Sequence, residues 1–194
     1  METSIAVTDS PVLSAVAFKG RAIGALICGF FGSCWMLGAV YFGEITNPIV
    51  LTALALLAAA SVIWPITQLF RVRRLPYSTK GGQRWSDVSR SYWTLVVIEW
   101  GACIVVSNWL SRTGRPDLIP QAVGLIVGLH FMPLAKIFRA PIYHWTAAAM
   151  VLGVVASFAV PAGDLRNIVA SGVCGLALWA TEAEILCQDR LASR

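Results

Sequence analysis

Apolar residues run in long blocks along this chain, and polar residues fall mainly between the blocks. Residues 22–42, 48–70, 93–111, 118–137, 142–160 and 165–186 form six such blocks. Each is close to the roughly 20 residues that a helix needs to cross a bilayer. A run such as LTALALLAAASVIW, from Leu51 to Trp64, does not alternate as a barrel strand would. It also lacks the polar stripe of a helix on a soluble core. Backbone groups in hydrocarbon need internal partners. The pattern therefore predicts an all-α polytopic membrane protein: one six-helix transmembrane domain over 22–186, with tails at 1–21 and 187–194. Only Phe138, Arg139, Ala140 and Pro141 divide the fourth span from the fifth. Pro141 has no backbone N–H and favours a new helix start there.

Composition agrees with the pattern. Of 194 residues, 57% are hydrophobic and 13% charged, against about 25% charged in soluble chains. The basic residues set an orientation. With the N-terminus in the cytoplasm, Arg112, Arg115 and Arg166 are the three of fifteen Lys and Arg residues that fall outside. Positive-inside bias then places both termini in the cytoplasm. Glu2 and Asp9 precede the first basic residue, and the first apolar block is a full span, so the start does not read as a cleaved signal peptide. The net charge of +5 calls for no nucleic-acid partner. Much of it lies in the cytoplasmic loop 71–92, which attracts anionic lipid at about 1 kcal/mol per basic residue or docks a cytoplasmic protein.

PITQLFR, from Pro65 to Arg71, returns as PLAKIFR, from Pro133 to Arg139, and the apolar match extends back to Pro48 and Pro116. Two readings fit: a duplicated hairpin, with helices 1–2 resembling helices 3–4, or two spans that end in the same way. On either, Pro65 and Pro133 are expected to kink their helices, and Arg71, Arg139 and Lys136 to anchor at the interface. Gly20, Gly24, Cys28 and Gly32 recur every four residues on the first span. Such a stripe suits close packing of helices, within the bundle or against a second copy or another membrane protein.

Ionisable groups inside a membrane are functional candidates. Counting from the cytoplasmic edge at 1.5 Å per residue, Glu99 lies about 10 Å in, His130 about 13 Å and Glu182 about 12 Å. Gln68, His144, Lys136 and Glu184 are shallower, and Trp100 lies at similar depth. The outer half holds little beyond Asn108. The expected site is a polar pocket open to the cytoplasm, built from Glu99, His130, Glu182, Trp100, Gln68 and His144, with Glu99 and His130 sharing a proton. The alternative is a polar clasp that fixes helix packing. No cofactor or metal is expected. His130 and His144 differ in depth by about 8 Å, which disfavours bis-histidine haem. HExxH and GxxxxGK[ST] are absent. The five cysteines form no CxxC pair, and no catalytic constellation is recognisable.

Three segments, IWPITQLF, VVIEWG and VGLHFMPLAKIF, resemble an uncharacterised family of small bacterial multispanning membrane proteins. The resemblance spans residues 48–150. It implies a six-helix fold, a bacterial inner membrane and weight on Glu99 and His130, but no reaction. The expected function is binding or transport of a small solute or ion, with proton linkage. The alternatives are an accessory subunit of a membrane complex and, third, a membrane enzyme on a lipid-like substrate.

Overall fold

The computed structural model describes residues 15–72, 85–138 and 140–192. The side chain of Arg71, the whole of Arg139 and loop residues 73–84 lie outside the described residues. The described residues are all-helical: α1 (Ala15–Phe42), α2 (Pro48–Val72), α3 (Trp85–Arg112), a 3-10 turn (Pro116–Leu118), α4 (Ile119–Ile137), α5 (Ile142–Ser157) and α6 (Asp164–Ala192).

Five of the six helices are long and apolar enough to cross a membrane, and α5 is shorter. The sequence pattern carried that span to residue 160, but the helix stops at Ser157. Phe158, Ala159 and Val160 fold back in tight turns whose N–H groups bond Val155, Ala156 and Ser157 carbonyls. Pro161 cannot continue a helix, and Gly163 sits at φ +121°. Sixteen residues rise about 24 Å, short of the roughly 30 Å hydrocarbon core. α1 and α3 err in the other direction. Their described residues are helical from Ala15 and from Trp85, ahead of the expected spans.

The helices divide into a core and two flanks. α1 packs extensively along α6, and α4 and α5 pack on each other and on α6. Ala25, Cys28, Phe131, Leu134, Met150, Val154, Cys174 and Leu178 make the shared centre. α2 attaches mainly to α1, and α3 mainly to α4. Burial shows the division: 44% of the most apolar window of α6 is buried, against 6% for α2 and for α3.

Glycine makes the close contacts possible. A Cβ on Gly175 would sit 3.0 Å from the Gly32 carbonyl oxygen and against Met36. A Cβ on Gly29 would meet the Ser61 carbonyl oxygen and the Glu182 carboxylate at 2.5 and 2.7 Å. The stripe on α1 thus serves contacts inside the bundle: Gly24 faces Tyr143 of α5, and Gly32 faces Trp179 of α6.

The two copies of the repeat meet different surroundings. α2 is peripheral and α4 central. Pro65 and Pro133 both lie within continuous helices, and Pro65 is fully buried. Lys136 is exposed at the end of α4.

One expectation is corrected. The half of the bundle remote from Arg21 and Gln188 holds a buried polar set well beyond Asn108. Gln121 Nε2 of α4 donates to Asn167 Oδ1 of α6 at 3.0 Å. Ser157 and Ser171 are buried near them. Arg166 donates twice to the Val160 carbonyl and lies over the Phe158 ring. Single amides and hydroxyls carry no charge to mark them within an apolar run, so the sequence hid this group.

Replacing Gly29 by valine should lower stability by about 1–3 kcal/mol, since the Ser61 backbone cannot yield. Gly101→Ala, with nothing near the added carbon, should be neutral or stabilising by up to about 1 kcal/mol. Thermal unfolding in detergent, read by gel filtration, checks both.

Candidate functional site

α3 has its substantial contacts with α4 and the 3-10 turn. A cavity of about 360 Å³ opens between it and α1, with α4 as the back wall. α3 lends Tyr92, Val96, Glu99, Trp100 and Cys103, residues three or four apart on one face. α4 lends Val123, Val127, His130, Phe131 and Leu134 at the same spacing, and Phe138 at its C-terminal cap continues the row. Ile27, Cys28, Phe31, Cys34 and Trp35 of α1 face them, and Tyr143 and Leu178 reach in from α5 and α6. Phe31, Cys34 and Trp100 are exposed at the rim, so the cavity opens on the apolar flank of the bundle.

Glu99 and His130 meet on its wall. His130 Nε2 lies 3.4 Å from Glu99 Oε2, with the side chains 8% and 16% exposed. The separation exceeds that of a short charge-assisted hydrogen bond, about 2.7–2.9 Å, so the pair is loosely held. Two protonation arrangements fit: a carboxylate accepting from the imidazole N–H, or a carboxylic acid donating to a neutral imidazole. The other imidazole nitrogen, Nδ1, is buried without a partner among the described residues. Glu99 lies about 15 Å along α3 from Ser89, where the stretch of the helix long and apolar enough to cross a membrane begins.

Aromatic rings form a chain along one side. Tyr92 packs on Phe138 at 5.9 Å between centroids, Phe138 on Tyr143 at 6.0 Å, Tyr143 on Phe131 at 5.6 Å, and Phe131 on His130 at 6.2 Å. These separations lie within the favourable range for aromatic pairs.

The structure gathers part of the predicted site and disperses the rest. Glu99, His130 and Trp100 line the cavity. Glu182 does not. It is buried, 4% exposed, with its carboxylate against Gly29. Around that α1–α2–α6 seam, Ser33 bonds the Gly29 carbonyl and Ser61, and Trp179 donates to Ser33. Gln68 is buried on α2 and does not line the cavity, while His144 is exposed on α5. The cavity is also lined mainly by apolar and aromatic groups, where the sequence suggested a polar vestibule. Sequence reasoning passed over Tyr92, Phe131, Phe138 and Tyr143. Phe131, Leu134 and Phe138 share a helical face with His130, which was the available signal. Tyr143 carried none, since its place depends on the gap left by Gly24.

Among the described residues, no three His, Cys, Asp or Glu side chains converge as a metal centre would require. Comparison with known families, curated proteins and solved structures finds no match to the chain.

A double-mutant cycle with Glu99→Gln and His130→Ala should return a coupling of about 0.5–1.7 kcal/mol, the range for polar contacts between membrane helices. Reversible unfolding in mixed micelles is the measurement.

Proposed function

We propose that this chain is a multi-pass membrane protein that binds a small ligand in the cavity between α1 and α3. Glu99 and His130 exchange a proton as the ligand enters or leaves. The observation that carries this reading is an acid facing a base, both largely buried, on the wall of an open cavity. An ionisable pair at membrane depth is costly to keep. The cavity volume falls within the roughly 300–1,000 Å³ of small-molecule sites. With the orientation drawn from the basic residues, both termini are cytoplasmic, the site is in the inner half of a bacterial inner membrane, and loop 71–92 rests on anionic lipid. The ligand then moves to or from the cytoplasmic side.

A second reading has its own support. α3 packs substantially on α4 and little else, so a Glu99–His130 bond also ties a flank helix to the core. On that reading the pair is a clasp, and the protein an accessory subunit whose exposed α2 and α3 faces meet a partner.

Proteoliposomes holding a pH-sensitive dye separate the two. Challenged with neutral, cationic and anionic small molecules from pH 5 to 8, where histidine titrates, the wild type should move protons in response to one class. Glu99→Gln should abolish the response, and His130→Ala should displace it along the pH axis. A wild type silent to every class, with both variants merely less stable, decides for the clasp.

A further inference from the structure

The make-up of the cavity narrows what it takes, granted that it is a ligand site as proposed above. Among the described residues no lysine or arginine lines it, and its one carboxylate is Glu99. An anionic ligand would meet a like charge there. The walls are rich in π faces: Tyr92, Phe138, Tyr143 and Phe131 in sequence on one side, and Trp35 and Trp100 elsewhere. Aromatic faces carry negative quadrupole potential and attract desolvated cations, and cages of them recognise quaternary ammonium groups. The rim opens on the apolar flank, so an apolar body can enter from lipid while its charge reaches Glu99. His130 Nδ1, buried and without a partner among the described residues on a side chain 8% exposed, marks a polar position left unmet there.

We propose that the cavity binds a lipophilic organic cation, an ammonium or delocalised cation on an apolar body, held by Glu99 and the surrounding aromatic faces. Binding replaces a proton. A cation entering beside a protonated Glu99 makes the carboxyl release one proton, which leaves to water directly or by way of His130, so charge balances with no other reactant. Among the described residues, the titratable groups that line the cavity with Glu99 are Tyr92 and Cys103 of α3, His130 of α4, Cys28 and Cys34 of α1, and Tyr143 of α5, with Arg21 of α1 close enough to act on Tyr143. Of these only His130 ordinarily changes charge between pH 5 and 8.

The test uses radiolabelled tetraphenylphosphonium and the purified full chain in detergent, with decylubiquinone as a neutral competitor and oleate as an anionic one. Wild type should bind the cation saturably. Apparent affinity should weaken as pH falls, by up to about tenfold per unit, because each bound cation displaces one proton. Glu99→Gln should weaken binding at least tenfold, Glu99→Asp should retain part of it, and Glu184→Gln, remote from the cavity, should match wild type. Gel-filtration profiles equal to wild type show that the variants are folded, and Glu99→Asp keeps the test open should Glu99→Gln fail to fold. Cation binding unchanged in Glu99→Gln overturns the proposal. So does Glu99-dependent binding of decylubiquinone or oleate without the cation, which leaves the ligand-site reading standing. Binding of none of the three by folded wild type overturns both.

Discussion

The close approach of α1 to α6 governs the bundle. In a bilayer, helices gain little by leaving lipid for each other unless their surfaces mesh. Here Gly32 and Gly175 remove the side chains that would hold the two backbones apart. Once α1 lies against α6, α5 and α4 close the remaining side of α6 around Met150, Val154 and Leu178. α2 and α3 are left on opposite errands, one leaning on α1 and the other on α4. The cavity follows from this arrangement, because α1 packs on α6 and α2 while α3 packs on α4, and α1 and α3 do not pack substantially on each other.

Glu99 and Glu182 show how neighbours decide the fate of one residue type. Both sit well within their helices. Beside Glu182 stands Gly29, whose missing side chain lets α1 close over the carboxylate and bury it in a seam with Ser33, Ser61 and Trp179. Beside Glu99 no helix closes in, so its carboxylate shares a wall with His130 and looks into space. Unpaired polar groups at such depth are expensive. The seam packs α1 closely over the Glu182 carboxylate, and the cavity gives Glu99 a partner across two helices. The amide pair Gln121–Asn167 at the far end repeats the second arrangement without any charge.

Much of this was legible in the sequence. Block lengths gave the helices, and the rarity of ionisable residues in the blocks singled out Glu99 and His130, which do meet. Facing of elements was harder to read. Depth along each span is a linear count, but which side a residue presents depends on neighbours whose order around the bundle the chain does not state. Glu182 therefore matched Glu99 in depth, and both it and the shallower Gln68 lie away from the cavity. The aromatic chain had the same invisibility, since Tyr92, Phe131, Phe138 and Tyr143 come from three helices. The end of α5 was missed for a local reason. Ser157 to Val160 is apolar enough to continue a span, and Pro161 acts backwards on the residues before it.

The α1–α6 seam also has a consequence in time. Its two faces come from the first and the sixth of the described helices, so α1 cannot meet its main partner until α6 has been made. Until then α1 has only α2 beside it, and its glycine face must wait against lipid. The bundle therefore assembles by closure, with α6 as the final wedge. A chain truncated before α6 would have its hairpins inserted and no core to join them.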